Sequence, residues 1–171
     1  LNDSITALDS YDGLIIAQPR TQFSEKDLFI IDQFVMRGGR LFCFIDALTF
    51  PEDTLNAKGV THSIRLNTGL EKMLFDYGLK LNENYVLDVR CAPKPVPFAK
   101  QSLIPWFYHV LATPTSHPIS RNVEPVSLKY ASEVQFVESV NATLTPILTS
   151  SSNSTVTGFA PMISLGLPLN Y

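Results

Sequence analysis

The sequence predicts an α/β fold, a three-layer sandwich with a mainly parallel sheet, and two observations carry this prediction. Short, continuous apolar runs stand at residues 14–17 ("LIIA") and 41–45 ("LFCFI"), without the polar alternation of a strand that has one wet face. A helical pattern lies between them. Strand, helix and strand in this order form a βαβ unit, in which the strands are parallel and the crossover is right-handed.

The first helix, predicted over residues 25–37, has signals at both ends. Ser24 can cap its first turn, and Asp27 stands three residues later, which makes a capping box with Asp in place of Glu. Gly38-Gly39 ends the helix, because glycine accepts the left-handed conformation of a C-terminal cap.

A second helix is predicted after Thr68, where Glu71 completes another capping box, and it ends before Gly78. Residues 84–89 ("NYVLDV") then predict a strand that is buried like the first two. The chain therefore continues to alternate helix and strand through its first half, which favours the parallel sheet.

The pattern changes in residues 91–105, which hold four prolines. Because proline fixes φ and donates no hydrogen bond, this segment predicts an irregular excursion. Residues 106–113 ("WFYHVLAT") predict a strand, and less clearly patterned strands follow. We expect a single domain over residues 1–157, and a tail over residues 158–171 that is poorly ordered or docked on a neighbour.

The charge composition disfavours one class of function, nucleic-acid binding. The net charge is −3 and no basic run is present, so the chain lacks the electrostatic footprint of a nucleic-acid-binding protein. The sequence begins with Leu, shows no signal-peptide pattern, and has no apolar run near the ~20 residues that span a bilayer. We expect a piece of a larger protein, with any membrane anchor outside it.

Cys43 is a candidate nucleophile shortly after a glycine pair, but Gly38 and Gly39 lie five and four residues earlier, where they end the helix. A nucleophile elbow puts small residues on both sides of the reactive residue, whereas Phe42 and Phe44 flank Cys43. We interpret Cys43 as an unreactive core residue. A bridge to Cys91 is disfavoured, because Cys43 is predicted in mid-strand and Cys91 at the start of the proline-rich loop.

The other candidate residues give little support for a metal, ligand or catalytic site. The histidines have no metal-ligand spacing, and the acids at the predicted carboxyl end of the second strand are more readily explained as turn caps than as a small-molecule or Mg²⁺ site. No phosphate-binding glycine motif is present. We predict no metal, no cofactor and no catalytic residue; the residues considered are His62, His109, His117, Asp46, Glu52 and Asp53.

Trp106, Phe107 and Tyr108 are the candidate partner-binding residues. They follow the proline-rich segment directly, and aromatic side chains beside a stiff loop are typical of interface anchors. The alternative is that the same side chains hold the loop to the domain's own core. The sequence leaves both interpretations open.

Long, ordered segments also carry a family resemblance. "YDGLIIAQP", "FSEKDLFIIDQFVMRGGRLFCFID", "LEKMLFDYGLKLNENYVLDVRC", "IPWFYHVL" and "HPISRNVEPV" occur in this order within residues 12–150. Together they resemble the gliding-motility-associated ABC transporter auxiliary proteins of Bacteroidetes, the GldG family.

The resemblance implies a membrane-anchored protein whose large extracytoplasmic part lies on the periplasmic face of the inner membrane. It implies association with an ABC transporter's permease and ATPase subunits or with other envelope proteins. It also implies a flavodoxin-like or class I glutamine amidotransferase-like fold without a catalytic set. A strand and helix precede the first strand in that family, so the domain is expected to lack part of its sheet. The expected function is non-enzymatic protein or substrate binding. The alternative is a hydrolase or amidotransferase-like enzyme using Cys43 or a strand-end acid.

Overall fold

The computed structural model describes residues 1, 4–95, 103–137 and 142–166. Within them the chain forms helices and many short strands. The helices are α1 (Glu25–Met36), α2 (Glu52–Lys58) and α3 (Leu70–Asp76). The strands are β1 (Gly13–Ala17), β2 (Arg40–Phe44), β3 (Leu48–Thr49), β4 (Val60–His62), β5 (Ile64–Arg65), β6 (Leu79–Leu81), β7 (Val86–Asp88), β8 (Cys91–Pro95), β9 (Leu103–Pro114), β10 (Val126–Lys129), β11 (Val134–Phe136), β12 (Leu148–Thr149), β13 (Ser154–Val156) and β14 (Met162–Ser164).

The predicted fold class is wrong. In the described residues the only parallel pairing is that of β1 with β2, and the other pairings are antiparallel. The βαβ unit forms, but the chain does not repeat it; the later strands are mostly short and pair antiparallel in small separate sheets. A three-layer sandwich on a mainly parallel sheet, of the flavodoxin or glutamine amidotransferase kind, is therefore not what this sequence builds.

The described residues divide into two compact units. Unit 1 comprises Leu1–Ala47, Leu66–Leu81 and Val134–Ala142, and unit 2 comprises Leu48–Arg65, Asn82–Glu133 and Thr143–Tyr171. Each unit is built from segments that are distant in sequence. The single domain expected over residues 1–157 stays a prediction.

The βαβ prediction is confirmed in unit 1. β1 and β2 are adjacent and parallel, in register from Gly13 opposite Arg40 to Ala17 opposite Phe44, and α1 connects them. The Ser24 hydroxyl accepts a hydrogen bond from the backbone N–H of Asp27 at 3.1 Å, as the capping signal predicted. Inward-facing side chains of both strands then pack with α1 and α3 into a core of Leu8, Ile16, Ile30, Ile31, Phe34, Leu70 and Met73.

The second capping box forms in part: the Glu71 half is present, but the N-cap of α3 is Gly69 and not Thr68. The Glu71 carboxylate accepts hydrogen bonds from the backbone N–H of Thr68 at 3.1 Å and of Gly69 at 2.8 Å. Gly69 has φ +87° and α3 begins at the next residue. These bonds satisfy N–H groups that a helix start otherwise leaves without acceptors.

In unit 2 the central element is β9, a twelve-residue strand that pairs with β8, β10 and β12. It contains the strand predicted over residues 106–113. The irregular excursion expected from residue 91 is wrong for Cys91–Pro95, which form β8; residues 96–102 lie outside the described part. Pro93 lies opposite Pro105, so this pair exchanges no N–H···O bond, and the proline nitrogens of β8 face away from β9.

Two further elements of unit 2 were not predicted. Helix α2 begins after Pro51, which offers no side-chain cap, and ends at Gly59 with φ +72°. β14, inside the segment expected as a tail, pairs with β4, and Leu165 N–H donates to the Gly59 carbonyl at 2.8 Å. Residues 167–171 of that segment lie outside the described residues.

Candidate functional site

Trp106, Phe107 and Tyr108 lie along β9, and strand alternation sends their side chains to opposite faces. Trp106 is 0% exposed and Tyr108 is also buried, whereas Phe107 is only partly buried. Of the three residues that the sequence proposed for partner binding, Phe107 is therefore the one whose side chain a partner can reach.

Trp106 and Tyr108 belong to an aromatic cluster in unit 2. Their ring centroids are 5.3 Å apart, and the Tyr130 ring lies 5.8 Å from Tyr108 and 4.6 Å from Phe50. Tyr85, fully buried, is 5.7 Å from Tyr108. These separations are typical of favourable edge and offset contacts between aromatic rings. The cluster is a core of unit 2, built from four segments of the chain.

Tyr130 is held in an unusual backbone conformation within this cluster. Its φ is +55°, in the left-handed region that bulky residues avoid. Its N–H donates to the Tyr108 carbonyl at 2.7 Å, and its hydroxyl accepts a hydrogen bond from Trp106 Nε1 at 3.2 Å. Such conformations cost about 1–3 kcal/mol and persist where the surroundings fix them. Here the fixing contacts come from β9.

A lysine from the edge strand β8 reaches the same cluster. Lys94 Nζ donates to Glu52 Oε1 at 2.6 Å; the Lys94 side chain is 6% exposed and that of Glu52 56%. Burial alone lowers the pKa of Lys94, but its hydrogen bond to Glu52 and the nearby negative charges outweigh burial and raise it. The same hydrogen bond lowers the pKa of Glu52. Lys94 is therefore charged at neutral pH and has the properties of a structural ion-pair partner, not of a lysine nucleophile.

His109 is the buried histidine of this cluster. Burial, followed by the positive charges of Lys129 and Lys94, lowers the pKa of His109 to about 4. Its Nε2 has no hydrogen-bond partner within the described residues. The ring packs edge-on against Tyr130, with centroids 5.4 Å apart. His109 and its neighbours on β9, Tyr108 and Val110, are all buried, so both faces of β9 are covered around this position.

A small cavity of 240 Å³ lies beside Phe107. Leu87, Val89 and Phe107 give it an apolar lining, and Asn153 and Thr155 add polar groups. Asp88, which also borders it, is buried and accepts hydrogen bonds from the N–H of Arg90 and from both the N–H and hydroxyl of Ser151 at 2.6–2.8 Å. Asp88 therefore organises the surrounding turns.

The residues of the enzyme alternative each have contacts within their own unit. Cys43 is half-buried against the unit 1 core, and burial raises the pKa of its thiol, which disfavours the reactive thiolate. Asp46, whose pKa is raised by burial, lies 3.5 Å from Arg20, while Glu52 is engaged by Lys94 in unit 2. In the part of the chain that the structure describes, no three His, Cys, Asp or Glu side chains are grouped as metal ligands.

The feature that the sequence did not reveal is the outer surface of the parallel strand pair. Ile15, Phe42 and Phe44 are 67%, 53% and 61% exposed, with Ala17 among them. We call this set the β1–β2 outer face. The opposite face of the same strands packs on α1 through Leu14, Ile16, Leu41 and Cys43. The uninterrupted apolar runs correctly gave strands, but only one face of each is buried.

The polar side chains described above serve the fold, and the β1–β2 outer face is an apolar surface open to solvent. Residues 1–168 match the family ABC_transp_aux, described as an ABC-type uncharacterized transport system, and the chain belongs to this family. It is thus an auxiliary domain of an ABC-type transport system.

No curated protein and no solved structure matches the chain. Among the described residues, no helix has the length and apolar character needed to cross a bilayer.

Proposed function

We propose that the chain is a non-enzymatic, extracytoplasmic domain of a membrane-anchored ABC transporter auxiliary protein of the gliding-motility type, as in the GldG proteins of Bacteroidetes. It acts on the periplasmic face of the inner membrane by binding the permease, the ATPase-bearing transporter assembly or the transported molecule. The anchoring segments lie outside residues 1–171. The observation that carries the proposal is the family match over nearly the whole chain.

Two surfaces support a binding role. The β1–β2 outer face presents large apolar side chains, which are costly to leave in water and mark interaction sites when they are contiguous. Phe107 and its cavity form the second surface, and exposed Leu103 lies on the same strand. Of the proposed contact residues Trp106, Phe107 and Tyr108, the partly exposed Phe107 makes the contact, because Trp106 and Tyr108 are buried in the aromatic cluster.

The first test is co-purification of the full-length protein from its own membranes in mild detergent. We expect the permease and ATPase subunits to be enriched with it, and to be lost when residues 1–171 are deleted while the anchor is retained. Equal enrichment without the domain would show that the anchor alone makes the association, and the binding role would be wrong.

Location and the link to gliding need their own tests. Protease added to spheroplasts, but not to intact cells, should degrade the domain; protection in spheroplasts would place it on the cytoplasmic side. Deletion of the domain should abolish colony spreading in a gliding host. Normal spreading of the deletion strain would contradict the gliding-specific part of the proposal and leave the transport role standing.

A further inference from the structure

The β1–β2 outer face is a regular apolar sheet surface that no described element covers. In the parallel ladder, Ile15 lies directly opposite Phe42 and Ala17 opposite Phe44, so the apolar side chains form one contiguous patch. α1 covers the other side of the same two strands. Parallel sheets are almost always covered on both faces. Among the described residues this one is covered on a single face.

The size of the patch indicates what covers it. Side chains of this size offer about 150–250 Å² each, so the exposed fractions of Ile15, Phe42 and Phe44 leave on the order of 350 Å² of apolar surface in contact with water. A stable interface between two copies takes about 800 Å² from each partner. The patch is therefore too small to hold a second copy by itself. A five-residue strand is about 16 Å long, which matches a helix of about eleven residues, or three turns.

Charge gives that helix a direction. Arg40 stands at the start of β2 on the outer face, is exposed, and has no ion-pair partner in the described ranges. Asp46 follows the other end of β2. A helix laid antiparallel to the strands, as α1 is on the opposite face, would bring its negative C-terminal end to Arg40 and its positive N-terminal end toward Asp46. The C-terminal end then meets the positive charge of Arg40, whereas Asp46 already pairs with Arg20 at 3.5 Å and contributes less to the orientation.

We propose that the β1–β2 outer face is the docking site for an amphipathic helix of about three turns that belongs to another subunit of the transporter. The helix packs apolar side chains on Ile15, Phe42 and Phe44, and its C-terminal turn carries a carboxylate that pairs with Arg40. This inference rests on the proposed binding function and names the partner element and the surface that it occupies.

Site-specific photocrosslinking tests the proposal in the full-length protein in its native membrane. A benzophenone amino acid replaces Phe42, and the matched control carries it at Phe75, which is similarly exposed on α3 of the same unit. We expect an adduct at Phe42 at least five times stronger than at Phe75. Mass spectrometry should locate it in a helical segment of the permease or another transporter subunit.

Two variants sharpen this test. Phe44→Ser should reduce the Phe42 adduct at least fivefold and Arg40→Glu at least threefold, with unchanged melting temperature because both side chains are exposed. A Phe42 adduct with a second copy, with lipid, or with a different segment of the same polypeptide would overturn the proposal, as would equal or absent crosslinking at both positions. Co-purification, measured in parallel, keeps the outcomes separate: subunits that co-purify without this adduct refute the docking site alone, and their absence refutes the proposed function.

Discussion

Replacing Trp106 with Ala separates a core residue from an interface anchor. Trp106 is 0% exposed, and its indole would leave behind a hole among Tyr108, Tyr130 and the rest of the aromatic cluster. Removing about 150–200 Å² of buried surface at ~25 cal/mol/Å² gives about 4–5 kcal/mol, in line with the ~3–5 kcal/mol typical of Trp→Ala in cores. We therefore expect Trp106→Ala to lower the free energy of unfolding by about 3–5 kcal/mol.

The assay is urea unfolding followed by far-ultraviolet circular dichroism, because Trp106 is the only tryptophan and fluorescence disappears with it. With a slope of about 2 kcal/mol per molar urea, the midpoint should fall by roughly 2 M. Trp106→Phe keeps most of the volume but removes the hydrogen bond to Tyr130, and should cost only about 1–2 kcal/mol.

Phe107→Ala is the matched control, since its side chain lies on the other face of β9 and is only partly buried. It should cost well under half of the Trp106→Ala loss. If Trp106→Ala instead lowered stability by less than about 1 kcal/mol while abolishing partner binding, the burial argument would fail, and Trp106 would be an interface residue after all.

Three more predictions concern titration and packing. Glu52→Gln should lower the melting temperature at neutral pH, because the Lys94 hydrogen bond that lowers the pKa of Glu52 stabilises the fold above the ordinary value of 4.5. This contribution is lost as pH falls through the lowered pKa, so a difference from wild type that does not shrink as pH falls below 4.5 would contradict the reasoning. His109 has its ordinary pKa of 6.5 in the unfolded chain and a pKa of about 4 in the folded chain. The free energy of unfolding should therefore fall as pH drops from 6.5 towards 4, and it should fall less in His109→Gln. An NMR titration that gives His109 a pKa near 6.5 in the folded protein would exclude this effect. Gly39→Ala places a Cβ 2.4 Å from the Phe34 ring and should cost about 1–3 kcal/mol in urea unfolding, whereas Gly158→Ala, with no atom within 4 Å, should be nearly neutral; equal losses would refute the packing reason.

Local hydrogen bonds were predictable from the sequence because their partners are three residues apart. The Ser24 bond of the first capping box and the Glu71 bond of the second both form, and the helices begin within two residues of Ser24 and Thr68. The βαβ unit followed from these signals and from the handedness of crossovers. Its extension to the whole chain failed, because antiparallel pairing of short strands such as β7 with β13 depends on segments about 70 residues apart that carry no mutual signal.

Strand faces were less predictable than strands. An unbroken run such as "LFCFI" is compatible with burial on both faces, and only the neighbouring elements decide whether Phe42 and Phe44 are covered. The ion pair between Lys94 and Glu52 in unit 2 was unpredictable for the same reason. The two residues are 42 positions apart, and neither belongs to a motif. In the sequence, Glu52 was a candidate only as a strand-end acid.

The prolines of β8 also determine whether another strand can add to the edge of the β9 sheet. Among the described residues β8 pairs only with β9, so its other side is a free edge. The nitrogens of Pro93 and Pro95 face that edge and carry no hydrogen, and buried Lys94 lies between them. An incoming strand finds carbonyls but lacks the donors needed for a continuous ladder. The edge is thereby protected against strand addition and the edge-to-edge aggregation that follows from it, and replacing both prolines with Val would remove that protection.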